Sequence, residues 1–367
     1  MPNDVADPSC FRLYGAERSY FTGKVRPALL AKRVHFEEVL PTPAIYHEIR
    51  ERTGLLFIPV VVTPEDETWQ DTSNIIDALE ARVAEPRLIP LSPVQRIVSY
   101  LFELYADEFL VLPAMHFRWS TAEGEADARG AFAAMSGDVE AANAFADTMG
   151  GTLPVLGVTD ETIPVIVEHT GELLDTMNEV FADQSFLLGE QPSLADCAVM
   201  GPLYAHLYLD LASGARVRER APRVAHWIER CNHPDPQSFG GFVDDDGLHE
   251  SVHRLLRLIG SDAVPVLLDG LADFESWADG RDRSEDEPPR ATGFHETSLR
   301  GVSFERYTNA YALWLVQRTL DAYRALDDVG RRTVDAAVAG TGCENLLAYE
   351  PRHRLGKREF KLVFENA

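Results

Sequence analysis

Three short stretches carry side chains whose type and order suit the holding of a ligand. Asp71-Thr72-Ser73 stands directly before the apolar positions Ile75, Ile76 and Leu79. That is the pattern of a helix N-terminus whose short polar side chains cap exposed amides, and exposed amides of this kind also bind a carboxylate. Pro59 opens the strongly β-forming run FIPVVVT at residues 57–63. Proline persists at the start of a strand, and behind an apolar residue it can take the cis form, which usually has a purpose. Ser19 precedes a run with helical apolar spacing at Val25, Leu29 and Leu30, where its hydroxyl reads either as a plain N-terminal cap or as a donor to an anion.

Redox and metal chemistry find little support. Cysteines stand at Cys10, Cys197, Cys231 and Cys343, without CxxC spacing, so a dithiol motif or ordinary structural zinc site is not expected and buried, unpaired thiols are. The cluster Met115-His116-Phe117-Arg118-Trp119 is conspicuous. A histidine among aromatics reads first as a hydrogen-bonded core residue.

The elements that must position these residues alternate over the first eighty positions. Residues 11–15 (FRLYG) suit a strand, 24–32 a helix, 35–40 a strand and 44–52 a helix stopped by Gly54. The 57–63 strand follows, then an acidic turn at 64–67, a short strand at 68–70 and a helix over 72–83. The order is β-α-β-α-β-β-α. After a proline-rich loop at 85–92 the strand signals vanish, and runs such as 94–112 and 164–181 have helical periodicity. In PSLADC, Ser193 and Asp196 form a capping box with aspartate in place of glutamate, worth about 0.5–2 kcal/mol.

The series LYG…SYFTGKVRPAL, FIPVVV and WQDTSNIIDALE resembles the N-terminal half of a cytosolic glutathione S-transferase, and FLLGEQPSLADCAVM at 186–200 resembles the closing stretch of that family's helical domain. The resemblance implies an α/β thioredoxin-like N-terminal domain over 9–86 and an all-α transferase domain over 92–234. A mainly helical C-terminal extension follows over 235–367, with an acidic linker near 279–290. It implies glutathione as co-substrate, with no metal. The backbone at Ile58-Pro59 would align the cysteinyl part, and Asp71 and Thr72 would hold the γ-glutamyl end. Ser19 occupies the place of the thiol-activating residue, and Tyr20 and Thr22 are near enough to substitute for it. The loop holds no cysteine, which speaks against a mixed disulfide and against the isomerase activity of relatives with a cysteine there.

Composition agrees. The 367 residues suit two or three domains. A formal charge of -25 repels nucleic acid, and no apolar run reaches the roughly 18–20 residues that span a bilayer. The start MPNDVADPSC has neither a basic opening nor an apolar core, so no leader and a cytoplasmic location are expected. Within the extension, 255–277 and 303–338 read as helical, 279–290 as too polar to pack, and 358–364 as a strand. The expected function is transfer of glutathione to a small apolar electrophile by a homodimer. The alternatives are a non-catalytic interaction or ligand-binding module of the same fold, and a glutathione-dependent isomerase or reductase.

Overall fold

The computed structural model describes residues 10–279 and 287–365; the first nine residues and most of the acidic linker lie outside them. The chain opens with β1 (Phe11–Tyr14), α1 (Tyr20–Ala31), β2 (Phe36–Val39), α2 (Pro43–Thr53), β3 (Val60–Val62), β4 (Thr68–Trp69) and α3 (Thr72–Arg82). The order matches the sequence reading. The four strands form one sheet ordered β2-β1-β3-β4. β2 runs parallel to β1, while β3 is antiparallel to both β1 and β4. Alternation along the strands sends Leu13 and Val61 to one face, against Val25, Leu29, Ile75, Ile76 and Leu79. Tyr14, Val60 and Val62 point to the other face and meet Ile49 of α2. Gly54 closes α2 at a φ of 70°, the left-handed conformation that glycine adopts without strain. The unit is thioredoxin-like.

A helical region follows: α4 (Pro93–Glu108), α5 (Val111–Trp119), α6 (Ala122–Ser136), α7 (Val139–Gly151), α8 (Leu153–Leu156), α9 (Ile163–Asp183), α10 (Leu194–Pro202), α11 (Leu211–Arg220) and α12 (Pro222–Asn232). The run at 94–112 is therefore two helices. Phe109 and Leu110 at the bend are both buried, so the apolar pattern continues through the break and hides it. The capping box at Ser193 and Asp196 forms. Asp196 also accepts from the amide of Leu187 and from Trp227 Nε1, each at 2.9 Å, which ties α12 to the start of α10.

The extension holds α13 (Glu250–Leu258), α14 (Val264–Ala278), β5 (Ala291–Leu299), β6 (Val302–Asn309), α15 (Ala310–Arg324), α16 (Asp328–Val338), α17 (Cys343–Leu347), β7 (Leu355–Arg358) and β8 (Lys361–Phe364). The helix expected from residue 303 begins only at Ala310. Residues 302–309 bury Phe304, Arg306 and Thr308 in alternation and pair with β5 as a hairpin. The alternation was masked because Tyr307 leads into the aromatic face of α15, which Asn309 caps. The strand expected near the end is β8, paired with β7 across a turn at Glu359 and Phe360 with positive φ. Helices α15 and α16 lie against α4, and every α4 residue except Pro93 and Arg96 is buried.

Candidate functional site

Strand register assembles the site. Tyr14 of β1 pairs with Val60 of β3, and Val61 pairs with Trp69 of β4. Both pairings are antiparallel, so the loop leaving β1, the segment entering β3 and the segment leaving β4 meet at one edge of the sheet. Ser19, Ile58-Pro59 and Asp71-Thr72 belong to those three segments. The Ile58-Pro59 peptide is cis.

Ser19 is the N-cap of α1, with extended backbone, and its oxygen accepts from the Thr22 amide at 3.4 Å. Accepting that bond leaves the hydroxyl hydrogen able to donate, at the positive end of a helix. Thr22 turns inward and accepts from the Ala16 amide. Tyr20 lies differently: its hydroxyl donates to the Ala106 carbonyl at 2.5 Å, and burial, followed by the Asp107 carboxylate, pushes its pKa well above 10. The proton of Tyr20 is thus committed to α4.

The loop is pinned from the helical region. Arg18 reaches Asp210 at 2.7 Å and Asp127 at 3.3 Å. Arg118, 2% exposed, binds the same Asp210 at 2.8 Å and donates to the Arg18 carbonyl at 3.1 Å. The Met115–Trp119 cluster therefore works chiefly through its arginine, as a clamp on the backbone preceding Ser19. His116 is buried, and burial together with Arg216 lowers its pKa to about 4, which keeps it neutral.

Asp71 caps α3, its Oδ1 accepting from the amides of Ser73 at 3.1 Å and Asn74 at 3.4 Å. Thr72 is buried in the first turn. Ser73 faces inward, donating to Glu103 at 2.7 Å and accepting from Lys24 at 3.2 Å. Lys24 of α1 is buried, not solvated. It is 1% exposed and sits 2.9 Å from Glu103 and 2.5 Å from Asp107. Arg318 of α15 adds a bond to Glu103 at 2.9 Å and pairs with Asp77 of α3. Burial opposes the charge on Glu103, yet Arg318 and Lys24 together hold its pKa down. In Asp107 burial prevails over Lys24, with repulsion from Glu103, and the pKa rises.

Sequence reasoning missed the residues that the extension brings to this edge. Lys357 of β7 forms an ion pair with the second carboxylate oxygen of Asp71. Its ammonium lies 3.6 Å from the ring centre of Trp314 and 5.2 Å from that of Tyr311, both on α15. Arg290 stacks on Phe57, just before Ile58-Pro59, at 4.5 Å. No local motif links residues almost three hundred positions apart; the one available signal was a lysine in a chain that has very few. Cys197, Cys231 and Cys343 carry no reactive signature: all three are buried, and burial raises their thiols. Among the described residues, no group of three or more His, Cys, Asp or Glu is placed to hold a metal ion, and no helix is long and apolar enough to cross a membrane.

The chain matches the model of the glutathione S-transferase N-terminal domain over residues 13–87 and that of the C-terminal domain over residues 160–235. Among solved structures it is similar to a glutathione S-transferase from Rhodospirillum rubrum F11, at 17% identity and a TM-score of 0.43, covering 66% of this chain and 97% of that one. It is also similar to one from Methylobacillus flagellatus KT with glutathione bound, at 22% identity and a TM-score of 0.38, covering 60% and 93%. A third is a β-etherase from Sphingobium sp. strain SYK-6, at 16% identity and a TM-score of 0.44, covering 62% and 96%. No curated protein matches the chain.

Proposed function

Because the chain belongs to the glutathione S-transferase superfamily, we propose that it binds glutathione at the edge shared by β1, β3 and β4 and activates the thiol for transfer to a small electrophile. The observation that carries this reading is the convergence there of a helix-capping serine, the proline that leads into β3 and an acid-capped helix N-terminus. Each answers a different part of the tripeptide. The positive end of α3, with Thr72, suits the γ-glutamyl carboxylate, and Asp71 is the acid that would face the amine end of the ligand. The backbone at Ile58-Pro59, which leads into β3, suits strand-like pairing with the cysteinyl residue.

Ser19 then acts on sulfur. A free thiol has a pKa of about 8.5 and is mostly protonated at neutral pH. A hydroxyl donating to the thiolate contributes about 1.5–3 kcal/mol, the range of bonds to charged groups, and so lowers that pKa by roughly 1–2 units. The helix N-terminus adds about 0.3–1 kcal/mol in the same direction. The proton leaves to solvent, and the thiolate attacks the electrophilic carbon. A C–S bond forms as the leaving group departs with its electron pair.

The test is thiol titration in the complex together with turnover. Ser19→Ala is expected to raise the bound thiol's pKa by about one unit and to lower kcat/KM roughly tenfold or more. Failure of the protein to bind immobilised glutathione would sink the reading; binding with an unchanged rate in the variant would remove Ser19 alone. The same reading carries a small apolar acceptor, homodimerisation and action in the cytoplasm. With α4 covered by the chain's own α15 and α16, a dimer would have to use another surface, which a solution mass and cross-linking map would locate.

A further inference from the structure

Asp71 divides its two carboxylate oxygens between two tasks. Oδ1 is consumed by the amides of Ser73 and Asn74, so only Oδ2 is placed to receive a cation from outside α3. That oxygen already faces the ammonium of Lys357. Lys357 is not a side chain that happens to swing by. Its β7 backbone is bound at both its amide and its carbonyl of Leu355 by the Gln317 side chain, at 2.9 and 2.8 Å. The partner strand buries Phe364 against Phe274. The lysine stem is largely buried, with 13% of the side chain exposed, and its head rests on Trp314. Burial and then the neighbouring Lys24 lower its pKa to about 7, so near neutral pH its charge depends on the Asp71 carboxylate and the aromatic faces.

A primary ammonium held this way offers Asp71 the same chemistry as the amine of a γ-glutamyl ligand. It does so without the translational cost that a free ligand meets. We propose that Lys357 is the resident cation of the amine subsite, so that the site selects γ-glutamyl thiols by their carboxylate and cysteinyl parts and makes no use of their free amine. This rests on the glutathione reading above and refines it. Lys357 is a specificity-determining residue supplied by the extension, and the ligand class it admits includes thiol peptides whose terminal nitrogen is acylated.

The test compares glutathione with its N-acetylated form by calorimetry on the full-length protein. The wild type is expected to bind the two within about twofold of each other. Lys357→Met, which keeps an apolar stem against Trp314 but vacates Asp71, is expected to tighten glutathione about tenfold, as a regained charge-assisted bond should. It is expected to leave the N-acetylated form unimproved, while Lys357→Arg keeps the wild-type pattern. A wild type that prefers free-amine glutathione by tenfold or more overturns the proposal without any variant. So does a Lys357→Met protein whose preference is unchanged, and in both cases the glutathione reading survives. If neither ligand binds the wild type or either variant, the glutathione reading falls and takes this proposal with it.

Discussion

Glu108 closes α4 at the seam with the extension and offers a quantitative test of how that seam is held. Its carboxylate accepts from Asn309 Nδ2 at 3.2 Å, and its backbone carbonyl accepts from Arg306 at 3.4 Å. Burial raises its pKa from 4.5 to about 7; Arg306 opposes the shift and the adjacent Asp107 adds to it. A carboxyl whose folded pKa lies above its unfolded value binds extra protons in the native state. Stability from this group is therefore greatest at low pH and is lost as pH rises from about 4.5 through about 7. At 1.36 kcal/mol per unit, the shift corresponds to about 3 kcal/mol. Glu108→Gln mimics the protonated acid and keeps an acceptor for Asn309. It is expected to match the wild type near pH 4.5 and to exceed it by roughly 2–3 kcal/mol near pH 8. Urea titrations of both proteins across that range measure the difference, which cancels the other titrating groups. Equal slopes of stability against pH would refute the assignment, because burial would then not be keeping this acid protonated.

Two further substitutions probe the frame of the site. Asp196→Ala removes the acceptor of Ser193, Leu187 and Trp227 at once and leaves those donors buried. An expected loss of about 3–5 kcal/mol follows, and a loss below about 1 kcal/mol in urea unfolding would show that the acid is not what joins α10 to α12. Lys24→Met strips Asp107 of its cation and leaves Glu103 to Arg318 alone. A destabilisation of about 3–5 kcal/mol is expected at neutral pH, shrinking in acid as Asp107 protonates; a pH-independent loss would assign it to packing instead.

The order β-α-β-α-β-β-α, the Pro59 strand, the cap at Asp71 and the box at Ser193 and Asp196 were all legible in the sequence. Each is a local device: its partners lie within a few residues, where side-chain period and capping chemistry act directly. The same locality explains the errors. The bend at Phe109-Leu110 stays apolar on both sides, and the alternation of residues 302–309 merges into the helix that follows it. Only the tertiary structure decided that Lys24 is buried between Glu103 and Asp107, that the proton of Tyr20 belongs to Ala106, and that Arg118 clamps the loop of Ser19. Only it brought Lys357 to Asp71. A charge declares its need for a partner in the sequence, but not which partner. That choice is made when burial removes water and the nearest opposite charge, however distant along the chain, becomes the one that remains.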